Sequence, residues 1–170
     1  LDLRRHRGVH PRHGVVDVCP IVPLAGAGMA EAAELARRLG QWAAAELRLP
    51  VHLYGAAARS PRRRELPDLR RALRGPGAPA PDFGPPAPHS SGGVTVIGAR
   101  GPLIAFNALL ATGEAGIARA IARRLRAADG GMAGVRALGL ELAGRGRAQV
   151  SMNLIDPERA PPARVLERVL

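Results

Sequence analysis

Residues 76–93 form the stretch that most constrains the fold of this chain. They are rich in Pro, Gly and Ser and show no hydrophobic periodicity, whereas the flanking segments show helix and strand patterns. A connection of this length without secondary structure is uncommon inside a compact domain and is usually functional or disordered. Together with a shift in composition, the stretch indicates a boundary near residues 98–102. We therefore predict two parts, residues 1–98 and residues 99–170.

The periodic patterns predict an α+β protein. The clearest helix is predicted over residues 29–48, and a second amphipathic helix over residues 114–128. In the first helix one row consists of Leu35, Leu39, Trp42 and Glu46, and the row beside it consists of Ala32, Ala36, Ala43 and Leu47. A helical stretch is expected within residues 59–75, and a last helix opens at Pro161 and Pro162. The predicted strands cover residues 15–24, 51–54, 94–97, 103–110, 135–142 and 148–155, the last two forming a hairpin. This order predicts two small sheet-and-helix layers rather than a doubly wound parallel sheet.

Composition limits both the core and the partners. Aromatic residues make up 2% of the chain, so a core has to be built from small side chains. The net charge of +11 would suit a nucleic-acid partner. However, every basic residue is Arg, and the few aromatic residues do not interleave with the Arg runs. We therefore expect no nucleic-acid partner.

The single cysteine, Cys19, cannot form an internal disulfide, which favours a reducing compartment. No signal peptide opens the chain, and no apolar run reaches the length of a membrane span. We therefore predict a cytoplasmic location and no membrane partner.

The triplet His10-Pro11-Arg12 is the first candidate site. Pro11 disfavours the helical conformation for His10, so the imidazole is expected in a loop or at the start of a strand. Imidazole titrates near neutral pH, and the Arg12 guanidinium has a fork of donors that suits a carboxylate or a phosphate. This pair favours a transferase or hydrolase of an anionic substrate, with a solvated loop as the alternative. A metal site of His6, His10 and His13 is disfavoured because no Cys or carboxylate completes a ligand pattern, and no metal is expected.

Two further polar groups are candidates for binding. Small residues and free backbone N–H groups follow His89 over residues 90–93, for which a flexible linker is the alternative. In the last predicted strand Gln149, Ser151 and Asn153 alternate with apolar residues and share one face. That face would suit either the wall of a substrate site or solvent.

Five stretches in order carry a resemblance that covers essentially the whole chain. They read G-V-H-P-R-H-G-V-V-D-V-C-P-I-V-P at residues 8–23, L-P-V-H-L-Y-G-A-A-A-R at 49–59, P-D-F-G-P at 81–85, G-A-R-G-P-L-I-A-F-N at 98–107 and A-Q-V-S-M-N-L at 148–154. In these stretches the chain resembles the formiminotransferase domain of the glutamate formimidoyltransferase family. The resemblance implies two α/β subdomains with ferredoxin-like layers and the substrates in a cleft between them.

The resemblance also implies an activity and its residues. The family transfers a formimino group from N-formimino-L-glutamate to N5 of the co-substrate tetrahydrofolate in histidine degradation. His10 would be the catalytic general acid/base, Arg12 would bind a substrate carboxylate, and Asp17 would orient the site or serve a structural role. Further substrate-binding candidates are Arg100, Asn107 and Asn153. The implied folate-binding loop consists of Gly84, Pro85, Pro86, Ala87, Pro88, His89, Ser90, Ser91, Gly92 and Gly93.

The resemblance further implies that the family's domain begins before Leu1 and continues past Leu170. We therefore expect a middle portion that lacks part of each subdomain. Ala56 stands where the family usually has Glu. An alternative function is therefore a non-catalytic, decayed folate-binding module or a fragment of a longer transferase. We also expect a homodimer.

Overall fold

A computed structural model describes residues 2–7 and 12–170 of the chain. It divides into two compact units, Leu1–Gly101 and Pro102–Leu170. Among the described residues there are four α-helices and two three-stranded sheets, so the predicted α+β class is confirmed. None of the helices in these ranges is long and apolar enough to cross a membrane.

The first unit contains a parallel sheet between two helices. Its elements are β1 (Val18–Ile21), α1 (Met29–Leu47), β2 (Val51–Gly55), α2 (Leu66–Ala72) and β3 (Thr95–Ala99), with short 3₁₀ turns at Leu3–Arg5 and Pro61–Arg63. The strand order is β1-β3-β2, and both pairs are parallel. The central strand β3 is buried along its whole length. Pro20 lies in β1, an edge strand, where a missing N–H is tolerated.

The helix α1 ends one residue before its predicted end, and the face that it buries is the one made of small residues. Its buried residues are Ala32, Ala33, Ala36, Gly40 and Ala43. Leu35 and Trp42, in the neighbouring row, are more than half exposed. The reason is a close approach to the sheet, since a Cβ added at Gly40 would lie 3.2 Å from Val51 Cγ1. The small side chains therefore face the strands, as the composition required.

The second unit is an antiparallel sheet with helices on one face. Its elements are β4 (Ile104–Leu109), α3 (Ala115–Leu125), β5 (Val135–Leu142), β6 (Arg147–Leu154) and α4 (Pro162–Val169), with 3₁₀ turns at Ala127–Asp129 and Ala143–Arg145. The order is β4-β6-β5. The predicted hairpin is confirmed, with register from Val135 opposite Leu154 to Leu142 opposite Arg147. Its core consists of Ala118, Ala122 and Leu125 of α3, Val165 of α4 and the inward residues of the sheet.

Candidate active site

A backbone junction joins the segment after the His-Pro-Arg triplet to the end of the implied folate loop. Val15 N donates to Gly92 O (2.9 Å), Val94 N donates to His13 O (2.9 Å), and Gly14 and Gly93 form an antiparallel bridge. His10 and Pro11, with Gly8 and Val9, lie outside the described residues, so the role of His10 stays a prediction. The structure nevertheless brings the residues directly after the triplet into contact with the loop.

Glycine is required at both centres of this junction. A Cβ added at Gly14 would lie 1.9 Å from Val94 O, and one added at Gly93 would lie 2.2 Å from His13 O. Gly93 also has a φ of +71°, a conformation that L side chains rarely adopt. The two backbones can therefore approach this closely only because neither residue carries a side chain.

The turn Leu3–Arg5 also contacts the end of the loop. Leu3 N donates to Ser91 O (2.7 Å), and the Leu3 side chain lies beside Gly93. A cavity of about 620 Å³ adjoins this contact. It is lined by Asp2, Leu3, Arg5, His6, Arg12 and Val15. Arg12, the predicted carboxylate-binding residue, is thus exposed at a cavity next to the loop.

The charges around the cavity favour an anion. The Asp2 carboxylate accepts from Arg4 Nε (2.9 Å) and from a terminal guanidinium nitrogen (2.6 Å), and the hydrogen bond from Arg4 is the largest cause that lowers the pKa of Asp2. Neither Arg5 nor Arg12 forms an ion pair with a carboxylate of residues 2–7 or 12–170. Because Asp2 is already paired, the lining carries uncompensated positive charge.

The implied folate loop is fixed at its start by Asp82. The Asp82 side chain is 3% exposed, and its Oδ2 accepts from Leu53 N (2.7 Å) and from the Arg63 guanidinium (2.7 Å). Next to it, Phe83 O accepts from Val51 N (2.9 Å), and the Arg59 guanidinium lies 4.6 Å from the centre of the Phe83 ring. The Pro-Asp-Phe-Gly motif carries part of the family resemblance, but the sequence predicts no role for Asp82. A lone carboxylate in a Pro/Gly stretch, downstream of an Arg run, is the only sequence signal for this anchor.

His89 closes the far end of the loop into a tight turn. Its backbone exchanges two hydrogen bonds with Gly93, each of 2.9 Å. Its Nδ1 accepts from Gly92 N (3.0 Å) and from Ser91 N (3.3 Å), which leaves the proton of the neutral ring on Nε2. The loop is therefore anchored at both ends, while residues 84–90 between the anchors are exposed.

Asp17 connects the same segment to α2. Its Oδ1 accepts from His13 N (2.7 Å), and its Oδ2 forms an ion pair with Arg70. Burial is the main cause that lowers the pKa of His13, with further contributions from the charges of Arg70 and Arg74. Asp17 thus contacts the backbone that follows Arg12 and fixes it to a helix.

The second unit presents its own polar face. In the sheet Asn107 lies opposite Ser151, and Ala105 lies opposite Asn153, so the two asparagines share one face of neighbouring strands. Both are exposed, whereas Val150, Met152 and Leu154 are buried on the other face, which confirms the predicted alternation. Arg100 lies in the first compact unit, where its backbone N donates to Ile21 O (3.2 Å).

No metal-binding group is found in the part of the chain that the structure describes. Within residues 2–7 and 12–170 there is no cluster of three or more His, Cys, Asp or Glu side chains that could hold an ion.

Comparison with known families connects these features. The model of the formiminotransferase domain, N-terminal subdomain, matches residues 1–100, which include the whole junction, the cavity and the implied folate loop. The chain belongs to the formiminotransferase domain family. The resemblance read from the five motifs is thereby confirmed.

Individual relatives extend the similarity over nearly the whole of this chain. It is 37% identical to the glutamate formimidoyltransferase of Streptococcus pyogenes serotype M1 and 38% identical to that of Thermoplasma acidophilum, in each case over 99% of this chain. It is 43% identical, again over 99% of its length, to the formimidoyltransferase-cyclodeaminase of Gallus gallus. The chain spans 59%, 58% and 34% of these three relatives.

Proposed function

We propose that this chain takes part in the transfer of a formimino group from N-formimino-L-glutamate to N5 of tetrahydrofolate, in histidine degradation. The names of its relatives support the reaction. The observation that carries the proposal is the junction at Gly14 and Gly93, which joins the segment after His10-Pro11-Arg12 to the end of the implied folate loop. In this arrangement a group-transfer site and a folate site would be neighbours.

The proposed chemistry needs a proton carrier and an anion-binding group. N5 of the folate attacks the formimino carbon, and a tetrahedral species forms. The glutamate nitrogen must gain a proton before it leaves, and His10 would take the proton from N5 and deliver it to that nitrogen. Such proton transfer typically contributes about 10²–10⁴-fold in rate. Arg12 would bind a carboxylate of the donor through charge-assisted hydrogen bonds.

The anchored loop supports the folate part of the proposal. Residues 84–93 are fixed by Asp82 at one end and by the Gly14–Gly93 junction at the other. A preorganised loop loses less conformational entropy when a ligand binds than a free one. Arg100, Asn107 and Asn153 are further candidates for binding the substrate.

The first test is a titration of the purified chain with a reduced folate, followed by ligand fluorescence and by the melting temperature. We expect saturable binding and a rise in melting temperature. Gly14→Ala should abolish binding because its Cβ would collide with Val94 O, whereas Gly101→Ala, with no heavy atom within 4 Å of the added Cβ, should retain it. Absence of folate binding by the unmodified chain would contradict the proposal.

Formimino transfer is then assayed with the unmodified chain and with His10→Ala. We expect transfer that falls by about 10²–10⁴-fold in the variant. Unchanged turnover in His10→Ala would contradict the role of His10. Folate binding without any transfer would favour the alternative of a non-catalytic folate-binding module or a part of a longer transferase. A homodimer and a cytoplasmic location stay predictions, and analytical ultracentrifugation measures the first.

A further inference from the structure

We propose that Arg5 and Arg12 together form a two-point carboxylate site in the cavity, in which Arg5 selects donors that carry two carboxylates. This inference rests on the proposed function, because the proposed donor is a dicarboxylate. The sequence predicts a carboxylate-binding role for Arg12, and the fold places Arg5 at the same cavity.

The backbone that carries Arg5 is fixed. Arg5 N donates to Asp2 O (3.1 Å), and His6 N donates to Leu3 O (3.0 Å), which closes the turn. Asp2 caps the turn by accepting from Arg4 N (3.0 Å). The hydrogen bond from Leu3 N to Ser91 O then attaches the turn to the implied folate loop. The backbone of Arg5 is therefore held two residues after this anchor.

The charges leave both guanidinium groups available to a ligand. Asp2 is the only carboxylate among the described residues that line the cavity, and Arg4 binds it through two nitrogens. Arg5 and Arg12 have no carboxylate partner within residues 2–7 and 12–170. Two cations around one cavity repel each other, and an anion with two carboxylates relieves both charges at once.

The selectivity follows from this pairing. A ligand with one carboxylate and one amide would satisfy Arg12 and leave Arg5 without an anion. Specificity is the difference between the binding free energies of the two ligands. Here that difference equals the free energy of the charge-assisted pair with Arg5, which only the dicarboxylate forms. One such pair is worth roughly tenfold or more in affinity.

The test is isothermal titration calorimetry of the full chain with N-formyl-L-glutamate and with N-formyl-L-glutamine. The second ligand has nearly the same shape but carries one carboxylate. We expect the unmodified chain to prefer N-formylglutamate by about tenfold or more. Arg5→Gln should reduce this preference to about one while binding of N-formylglutamine stays unchanged, and Arg5→Lys should restore part of it.

Arg7→Gln is the matched control. Arg7 is an exposed cation in the same segment that contacts only backbone oxygens of Arg4 and His6 in the described residues, and it does not line the cavity. It should leave the preference unchanged, which separates a local contact from the general effect of removing a positive charge. Equal effects of Arg5→Gln and Arg7→Gln would overturn the inference.

Two further outcomes distinguish this inference from the proposed function. If Arg12→Gln weakens both ligands and Arg5→Gln affects neither, the inference is wrong and the proposed function stands. If the chain binds reduced folate but shows no preference for N-formylglutamate, the inference is again wrong. If it binds neither folate nor either formyl amino acid, both proposals are wrong.

Discussion

His52 is, at the scale of one residue, a buried polar side chain that lowers the stability of the first unit. It lies in β2 with 2% of its surface exposed, and its Nδ1 has no hydrogen-bond partner among the described residues. The pKa of His52 is lowered to about 4, mainly by burial and also by the charges of Arg63 and His13, while the charge of Asp82 opposes them. The imidazole is therefore neutral at pH 7 and resists protonation while the unit is folded.

This predicts acid sensitivity with a definite sign. Between the usual His pKa of about 6.5 and the folded value of about 4, the unfolded chain binds a proton that the folded chain does not. Stability should therefore fall as the pH falls through this window, by no more than about 3 kcal/mol. Urea denaturation of the unmodified chain and of His52→Phe at pH 7, 6, 5 and 4 measures it.

The variant should lose that part of the pH dependence and keep the part that arises from carboxylates. Because the phenyl ring binds no proton in the unfolded chain, His52→Phe should gain stability relative to the unmodified chain as the pH falls. The ring also removes the unpartnered Nδ1, an effect that does not depend on pH. An identical pH dependence in both proteins would show that His52 does not contribute.

At the scale of elements, α2 is tied to the segment after Arg12 by one ion pair. Asp17 and Arg70 are 19% and 29% exposed, whereas Arg71, the next residue of the helix, forms a pair with Asp68 in which both side chains are more than half exposed. The helix also buries Leu69 against the sheet. The same short helix therefore carries one partly buried pair and one solvated pair.

The two pairs should differ in their contribution to stability. Arg70→Ala should cost about 1–3 kcal/mol because it leaves a partly buried carboxylate without its partner. Arg71→Ala, the matched control, should cost about 0–1 kcal/mol because the exposed pair is screened by water. Denaturant titrations of both variants measure this difference.

A double-mutant cycle with Asp17→Asn isolates the ion pair, since Asn keeps an acceptor for His13 N–H. Amide hydrogen exchange at His13 gives a second readout, because Asp17→Ala should raise the exchange rate and Asp17→Asn should largely preserve protection. Equal costs of Arg70→Ala and Arg71→Ala, with no coupling in the cycle, would contradict the anchoring role.

At the scale of the whole molecule, each unit has its own core of small and aliphatic side chains. Leu53 is fully buried beside Val51 and Ile97 in the first unit, and Leu154 is fully buried beside Val150 in the second. Leu138 lies on the open face of the second sheet and is 55% exposed. Each core is built on a sheet of three strands, so a single lost side chain removes a large share of the packing.

Leu53→Ala and Leu154→Ala should therefore each cost about 2–5 kcal/mol, as large-to-small substitutions in cores do. Leu138→Ala, the exposed control, should cost less than about 1 kcal/mol. Urea denaturation gives the sizes, and hydrogen exchange should show the loss of protection in the strands of the unit that carries the change. A cost for Leu154→Ala no greater than that for Leu138→Ala would contradict the assigned core.

Local patterns in the sequence determined the order of the elements, the small-residue core and the hairpin, whose strands are predicted over residues 135–142 and 148–155 and observed over 135–142 and 147–154. Periodicity reports contacts between near neighbours, so it located α1 to within a residue. It does not decide which row of α1 faces the sheet, because the distance between helix and sheet, which excludes Leu35 and Trp42, is a tertiary quantity. The motifs in order were also sufficient to identify the family.

The tertiary structure alone decided how the site is assembled. The junction of Gly14 with Gly93, the hydrogen bonds of Asp82 to β2 and Arg63, and the placement of Arg5 at the cavity of Arg12 all depend on how distant segments meet. Such contacts produce no periodic pattern in the sequence, because each is a single hydrogen bond, ion pair or close approach and not a repeated one. The sequence therefore carries the residues of the site, and only the packing of the chain determines which of them meet.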